Sequence, residues 1–411
     1  MIISEESGII RKLTSYQAAA ESELERILDF WQHNALDEEQ GGFIGQMKYN
    51  GDVVLDAPKG GVLNARILWT FSAAYRHTPK EAYRTLADRA YRYLLDHFWD
   101  DELKGIYWEV NAHGHPLNTR KQVYALAFAL YGFSEYYMAT KTPKALQLCQ
   151  ELFRWIEKYS YDPKYGGYLE AFSREGTLLE DLRLSEKDRN DPKTMNTHLH
   201  VLEAYANLYR IWPDQQLAQQ LEKLLEVFLQ HIVDPETGHM QLFFTRDWIP
   251  TADLISYGHD IEASWLLLEA AEALGMKELV ERVKIVAVSM AKAAAEALQP
   301  DGSLYHEYNC ESNHYDTHRE WWVSAETMIG FLNAFQLTHR ELFLDNSLNA
   351  WQFAQHHLLD KEKGEWIWGI YDDYSPMQSE DKIGFWKCPY HNARACLEVV
   401  RRCRQLTAIN R

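Results

Sequence analysis

Twelve stretches of the chain repeat apolar residues at steps of three or four positions, the spacing that puts side chains on one face of an α-helix. In the stretch 63–75, Leu63, Ile67, Phe71 and Ala74 follow one another at such steps. The pattern predicts helices at 16–31, 63–75, 82–98, 123–137, 145–156, 199–211, 217–232, 261–274, 279–298, 322–335, 342–353 and 393–406.

A short turn of the form Asp-x-x-x-Gly, usually followed by an aromatic residue, separates successive helix pairs. The fifth copy is shortened to Asp301-Gly302. The turn recurs after roughly 60 residues, about the length of two helices and a loop. The six copies begin at Asp37, Asp101, Asp162, Asp234, Asp301 and Asp360.

Six helix pairs with a recurring turn predict an all-α fold, a closed (α/α)6 barrel of twelve helices with short β-hairpin loops at one end. A linear α-solenoid would contain the same pairs, but regular aromatic loops at one end favour closure. In such a barrel the loops that lead into the inner helices gather around one cavity. We therefore expect chemistry at the starts of these helices and in the long loops 42–61, 168–196, 239–258, 304–320 and 366–389. No linker is evident, so 1–411 is interpreted as one catalytic domain.

Composition narrows the function classes. The net charge is −18, and no Lys/Arg run interrupts it, which argues against nucleic-acid binding. Five scattered cysteines, no signal-peptide pattern and no apolar run of ~18 residues predict a cytoplasmic protein without a membrane partner. Aromatic pairs in the loops, such as Tyr107-Trp108 and Trp366 with Trp368, suggest a platform for sugar rings or simply loops packed on the core.

Two polar clusters stand where inner helices begin. Arg66, in an otherwise apolar helix, needs either an anionic or oxygen-rich ligand or a salt bridge to a neighbouring helix. Asn196 resembles a helix N-cap, which places His198 and His200 in the first turn. On a helix these two side chains diverge, so one of them should face the cavity and metal binding by the pair is disfavoured.

Two further histidines occupy equivalent positions. His259 precedes Glu262 by three residues, which would place a carboxylate beside the imidazole and make it more basic. Asp260 or Glu262 could instead cap the helix. His391 begins the last helix, after Pro389. Three histidines at three equivalent inner-helix starts are hard to ascribe to packing, and a carboxylate beside His259 would be a general-base arrangement.

The sequence lacks the motifs of several other classes of enzyme and binding protein. The chain has no P-loop, no GxGxxG, no GxSxG and no zinc-type Cys/His spacing. A glycoside hydrolase on the same barrel remains an alternative, because Asp188, Glu262, Glu307 and Glu326 could supply two carboxylates on either side of a glycosidic bond. A sugar-binding module without turnover is the non-enzymatic alternative.

Four stretches carry a family resemblance that spans nearly the whole chain. LNARILWTF from residue 63, MNTHLHVLEAYANLYR from 195, GHDIEASWLLLEA from 258 and FWKCPYHNARACLE from 385 resemble cellobiose 2-epimerases of the N-acylglucosamine 2-epimerase superfamily. The resemblance implies an (α/α)6 barrel that needs no metal or cofactor and epimerises C2 of the reducing-end glucose of β-1,4-linked disaccharides. Other members of the superfamily act on mannose or N-acetylglucosamine, so a monosaccharide substrate is the alternative.

The same resemblance assigns roles to individual residues. It implies His259 and His391 as the acid/base pair and Arg66, His200 and Glu262 as supporting catalytic residues. Arg66 would stabilise the enediolate oxygen. We expect a small-molecule partner and a monomer or weak homo-oligomer. The implied substrate-binding residues are Asp188, Trp322, Trp386, Tyr124, Asn196 and Trp108.

Overall fold

The structure, a computed structural model, describes residues 2–186 and 188–409. These residues contain twelve α-helices, as the apolar periodicity predicts. Most predicted segments gain two to four residues at an end, because polar first and last turns carry no apolar signal. The helices are α1 (Ile2–Asn34), α2 (Gly61–His77), α3 (Glu81–Tyr93), α4 (Val123–Thr140), α5 (Pro143–Tyr159), α6 (Met195–Tyr209), α7 (Gln215–Val227), α8 (Tyr257–Leu274), α9 (Lys277–Ala294), α10 (Trp321–Thr338), α11 (Glu341–Phe353) and α12 (Tyr390–Ile409).

The even-numbered helices form a closed inner ring. Each packs against the next, and α12 returns to pack against α2. The odd-numbered helices lie outside, with α3 against α2 and α1 against α12. This closure confirms the (α/α)6 barrel and rules out the linear solenoid. Helices α3, α7 and α11 end in π-helical turns and α9 in a 3₁₀ turn, at Leu94–Phe98, Phe228–Ile232, Ala354–Leu358 and Ala295–Ala297.

Short strands join neighbouring loops, and isolated bridges close hairpin-like turns within the loops, as predicted. The strand preceding an inner helix pairs with a strand of the following loop, as β1 does with β2 and β4 with β5. An isolated bridge between Met47 and Ile383 links the last loop to the first, so the loops form a closed rim. The strands are β1 (Lys59–Gly60), β2 (Glu109–Val110), β3 (Pro116–Asn118), β4 (Lys121–Gln122), β5 (Ala171–Phe172), β6 (Lys193–Thr194), β7 (Phe243–Phe244), β8 (Leu254–Ser256), β9 (Glu307–Asn309), β10 (His314–Asp316), β11 (Arg319–Glu320) and β12 (Gly369–Ile370).

The repeated aspartate anchors each turn of this rim. In the first repeat, the carboxylate of Asp37 accepts the backbone N–H of Gln40 and binds the buried Lys59 ammonium at 2.6 Å. The second repeat uses Asp100, which accepts hydrogen bonds from the Leu103 N–H and from Lys121. The predicted Asp101 is therefore wrong by one residue, because two aspartates stand side by side and only the hydrogen bonds distinguish them.

The core lies between the two rings of helices. Helix α4 is buried over nearly its whole length, which fits its apolar sequence on every face. Outer helices such as α3 bury one face and expose the other. Among the described helices, none is both long and apolar enough to cross a membrane.

Candidate active site

A cavity of about 700 Å³ opens at the rim end of the inner ring. Its floor is built from equivalent positions, since the sixth residue of α2, α6 and α8 lines it. The sixth residue lies more than one turn into each helix, and its side chain points into the cavity. The lining contains all five predicted catalytic residues and five of the six predicted substrate-binding residues: Arg66, His200, His259, Glu262, His391, Asp188, Asn196, Tyr124, Trp322 and Trp386.

The buried guanidinium of Arg394 lies beneath the cavity. Arg394 on α12 donates to Glu203 at 2.8 Å, to Glu262 at 2.7 Å and to Glu326 at 2.6 Å. Its side chain is about 1% exposed, and the three carboxylates are no more exposed than 2%. A buried charge needs a partner and hydrogen bonds, so these four groups depend on one another.

Two of these carboxylates orient histidines. Glu326 accepts a hydrogen bond from Nδ1 of His391 at 2.7 Å, and Glu203 accepts one from Nδ1 of His200 at 2.8 Å. A carboxylate on Nδ1 fixes the tautomer, which leaves Nε2 with the lone pair. Arg394 therefore links the orientation of both imidazoles.

The predicted pairing of His259 with Glu262 is wrong. Nδ1 of His259 hydrogen-bonds the Ser256 hydroxyl at 2.8 Å, and its ring lies 4.7 Å from that of Trp322. Glu262 turns instead toward Arg394 and lies 4.0 Å from His391. Asp260 does not cap its helix either, because it accepts hydrogen bonds from His239 and from the Met240 N–H.

Burial changes the ionisation of the cavity. It lowers the pKa of His259 to about 3, with His200 and His306 adding to the effect. Burial also lowers the pKa of His200 and of His391. The imidazoles are therefore neutral at pH 7 and free to accept a proton, although they are weaker bases than the usual value near 6.5 implies. Burial and the nearby Glu326 raise the pKa of Glu262 to about 8.

Arg66 differs from Arg394 in its partners. One guanidinium nitrogen donates to the Tyr124 hydroxyl at 2.9 Å, and the guanidinium carbon lies 4.2 Å from the centre of the Phe128 ring. Within the described residues no carboxylate approaches it within 4.0 Å, so the salt-bridge alternative is wrong. Its Nε is buried without a hydrogen-bond partner. A buried cation of this kind favours a negatively charged oxygen in the cavity.

The two histidines of α6 diverge, as helical spacing predicts. His198 faces away from the cavity and accepts the Tyr168 N–H on Nε2 at 2.8 Å, while His200 lines the cavity. The predicted N-cap at Asn196 is wrong, because the helix begins at Met195 and Thr194 caps it by accepting the Thr197 N–H. The short strand before α6 moves the helix start two residues earlier.

Some aromatic residues of the loops line the cavity, and others are buried in the core. Trp322 and Trp386 line the cavity, and so does Trp368. Trp108 is not part of the lining, contrary to the prediction. It is about 9% exposed and packs edge-on against Trp386 at 5.9 Å, where it supports that ring from behind. Trp366 belongs to the core and donates to Glu23 at 2.6 Å.

Sequence reasoning missed several groups in and below the cavity. Glu203 lies three residues after His200, the same spacing that suggested a pair of His259 and Glu262. The spacing therefore does predict a histidine–carboxylate pair, but on α6 and not on α8. His306, His318 and Glu320 also line the cavity. Their proximity depends on strand register, which the sequence pattern does not reveal.

Comparison with known proteins agrees with this geometry. The N-acylglucosamine 2-epimerase (GlcNAc 2-epimerase) family matches residues 42–395, and the chain belongs to this family of carbohydrate epimerases. It is 48% identical to the cellobiose 2-epimerase of Bacteroides fragilis, over 91% of this chain and 96% of that one. It is 39% identical to the cellobiose 2-epimerase of Dictyoglomus turgidum, over 92% and 96%. The structure of cellobiose 2-epimerase from Bacillus thermoamylovorans superposes with a TM-score of 0.91 at 40% identity, covering 95% of this chain and all of that one.

Proposed function

We propose that this enzyme epimerises C2 of the reducing-end glucose of β-1,4-linked disaccharides, such as cellobiose and lactose, to give a mannose residue. The observation that carries the proposal is the placement of two histidines, on α8 and α12, beside the same indole, Trp322. Two relatives that are 48% and 39% identical over more than nine-tenths of the chain are cellobiose 2-epimerases. A cavity of about 700 Å³ is within the usual range of small-molecule sites.

The reaction requires an open-chain sugar, because the C2 proton is acidic only beside a free C1 carbonyl. His200, held by Glu203, would assist ring opening. One of His259 and His391 would remove the C2 proton, and the other would return a proton to the opposite face. Arg66 would stabilise the negative oxygen of the enediolate, since it has no carboxylate of its own.

The four carboxylates that the sequence offered for glycoside hydrolysis do not form the pair that this reaction needs. A hydrolase needs one carboxylate on each side of the scissile bond. Glu262 and Glu326 instead share one nitrogen of Arg394 on the same side of the cavity. Glu307 lies on β9 outside the lining, and Asp188 binds the backbone and hydroxyl of Ser185.

The direct test is product analysis by NMR with cellobiose, lactose, mannose and N-acetylglucosamine as separate substrates. We expect cellobiose and lactose to yield disaccharides with mannose at the reducing end, with no free glucose or galactose. Release of monosaccharides would indicate a hydrolase. Turnover of mannose or N-acetylglucosamine alone would contradict the disaccharide substrate.

We expect Trp386→Ala to raise KM for cellobiose or lower kcat by about 10-fold, the effect of losing about 1.5 kcal/mol of aromatic contact. Trp386 is half-buried, so the melting temperature should move by only a few degrees. Trp212, half-buried in the connection between α6 and α7 beside Phe153 and outside the cavity lining, gives a matched control, and Trp212→Ala should leave KM unchanged. Unfolding of Trp386→Ala at room temperature would show that this residue belongs to the core.

A cytoplasmic location is part of the proposal. All five cysteines are free thiols, and four of them are buried. This usage suits a reducing compartment. Fractionation of the native host, with the protein detected in the cytosolic fraction, tests it.

A further inference from the structure

A second polar cluster lies in the long loop between α9 and α10. Strands β9 and β10 form an antiparallel hairpin in which Glu307 pairs with Asp316. The pairing extends by one bond, since the His306 N–H donates to the Asp316 carbonyl at 3.0 Å. The hairpin therefore brings together His306 and His318, twelve positions apart in sequence, with ring centres 4.3 Å apart.

Glu320 completes the cluster. It lies two residues beyond His318 on an extended segment, where residues i and i+2 share a face. Its Oε1 is 3.1 Å from Nε2 of His318. One nitrogen or oxygen from each of the three side chains lies within 4.8 Å of the others. All three side chains line the sugar cavity.

The two imidazoles are prepared to act as ligands. Nδ1 of His318 is hydrogen-bonded to the Asp316 carboxylate, the outer partner that metal-binding histidines commonly have. This bond leaves Nε2 directed toward Glu320. Nδ1 of His306 is buried and has no hydrogen-bond partner, which is unusual for a buried polar atom.

The cluster of Glu262, Glu326 and His391 has a similar composition and serves as a comparison. Glu262, Glu326 and His391 also place ligand-type atoms within 4.8 Å of one another. The guanidinium of Arg394 donates to both carboxylates there, so a cation already occupies the position that a metal would take. Within the described residues, no arginine or lysine forms a salt bridge to Glu320.

We propose that His306, His318 and Glu320 form an inhibitory site for a divalent transition metal of the Zn²⁺ type. Two imidazoles and one carboxylate match the ligands preferred by Zn²⁺ and not those preferred by Mg²⁺ or Ca²⁺. Small side-chain rotations bring the three atoms to ligand distance. The fourth position, filled by water, faces the cavity.

Metal at this site excludes the sugar. The two oxygens of Glu320 hold the indole N–H of Trp322 at 2.5 Å and that of Trp368 at 3.1 Å. A metal bound to Oε1 competes with the hydrogen bond from Trp368. It also places a divalent ion and its water against the indole rings of Trp322 and Trp368. Metal and disaccharide therefore compete. This inhibition rests on the proposed epimerase function, whereas metal binding itself does not.

Calorimetric titration of EDTA-treated, dialysed protein with ZnCl₂ tests the binding. We expect one saturable equivalent in the wild type and at least ~10-fold weaker binding in His306→Ala/His318→Ala. His318→Asn is the second variant, because its amide can still donate to Asp316 while the ligating Nε2 is lost. It should bind as weakly, which excludes collapse of the hairpin as the cause.

His113 and His115, exposed on the equivalent hairpin between α3 and α4, supply the control. His113→Ala/His115→Ala should bind zinc as the wild type does. Absence of saturable binding in the wild type would overturn the proposal. So would unchanged binding in His318→Asn, since the metal would then lie elsewhere.

Kinetics with cellobiose test the inhibition. We expect the EDTA-treated enzyme to be fully active, and zinc to raise the apparent KM without lowering kcat. Each variant is compared with its own metal-free rate, and His318→Asn should be inhibited at least ~10-fold less. Zinc bound at these residues without inhibition would overturn the competitive role. If cellobiose is no substrate at all, the proposed function fails while calorimetry still decides the metal site.

Discussion

His259→Ala and His391→Ala are each expected to lower kcat by at least ~100-fold, the contribution of a positioned general acid or base. The two imidazoles come from different inner helices, so neither can replace the other without moving a helix. Both variants should remain folded, because each residue lines a cavity and truncation removes little core. His231→Ala, on the outer surface beside Trp248, is the control and should retain wild-type activity. Near-normal activity in either cavity variant would remove that residue from the catalytic pair.

The same reaction in D₂O distinguishes a mechanism with two bases from a mechanism with a single base. A proton returned by a different, solvent-exchanged histidine places deuterium at C2 of the mannose product. Retention of the original hydrogen in the epimer would point to one shuttling residue or to hydride transfer.

Arg394→Met is expected to destabilise the protein by about 3–5 kcal/mol, the cost of leaving buried charges without their partner. Glu203, Glu262 and Glu326 would lose their shared cation, and kcat should fall as His200 and His391 lose their fixed carboxylates. Chemical denaturation measures the first effect and steady-state kinetics the second.

Two further variants distinguish the effect of the positive charge at position 394 from the effect of the guanidinium geometry. Arg394→Lys keeps the cation but loses the planar fork that reaches three carboxylates, so it should recover stability more than kcat. Adding Glu262→Gln to Arg394→Met removes one buried carboxyl group that has lost its donor and should restore part of the stability, giving a coupling energy for the pair. Wild-type stability in Arg394→Met would show that the network is not a buried charge cluster.

The ring and the positions of the histidines could be predicted because both follow from short-range patterns. Apolar spacing reveals the helices, and a turn repeated six times reveals their pairing. His200, His259 and His391 stand near the starts of inner helices, so the barrel geometry brings them together without knowledge of side-chain contacts.

The carboxylate partner of His391 could not be predicted, because it comes from another helix. Glu326 reaches His391 across 65 positions of sequence, and spacing along one helix has no bearing on that contact. The helix start at Met195 was missed because a two-residue strand shapes it. The cluster of His306 and His318 depends on hairpin register, which is set by backbone pairing and not by residue type.

The closed rim bears on how substrate preference changes between related enzymes. Arg66 and His259 stand on inner helices whose neighbours hold them from both sides, whereas the cluster around His318 stands on a hairpin tied to its neighbours by a few backbone hydrogen bonds. Insertions or exchanges at hairpin tips leave those bonds and the helices untouched. Exchanges at the hairpin tips should therefore change the sugar preference of this barrel while the inner helices keep their positions.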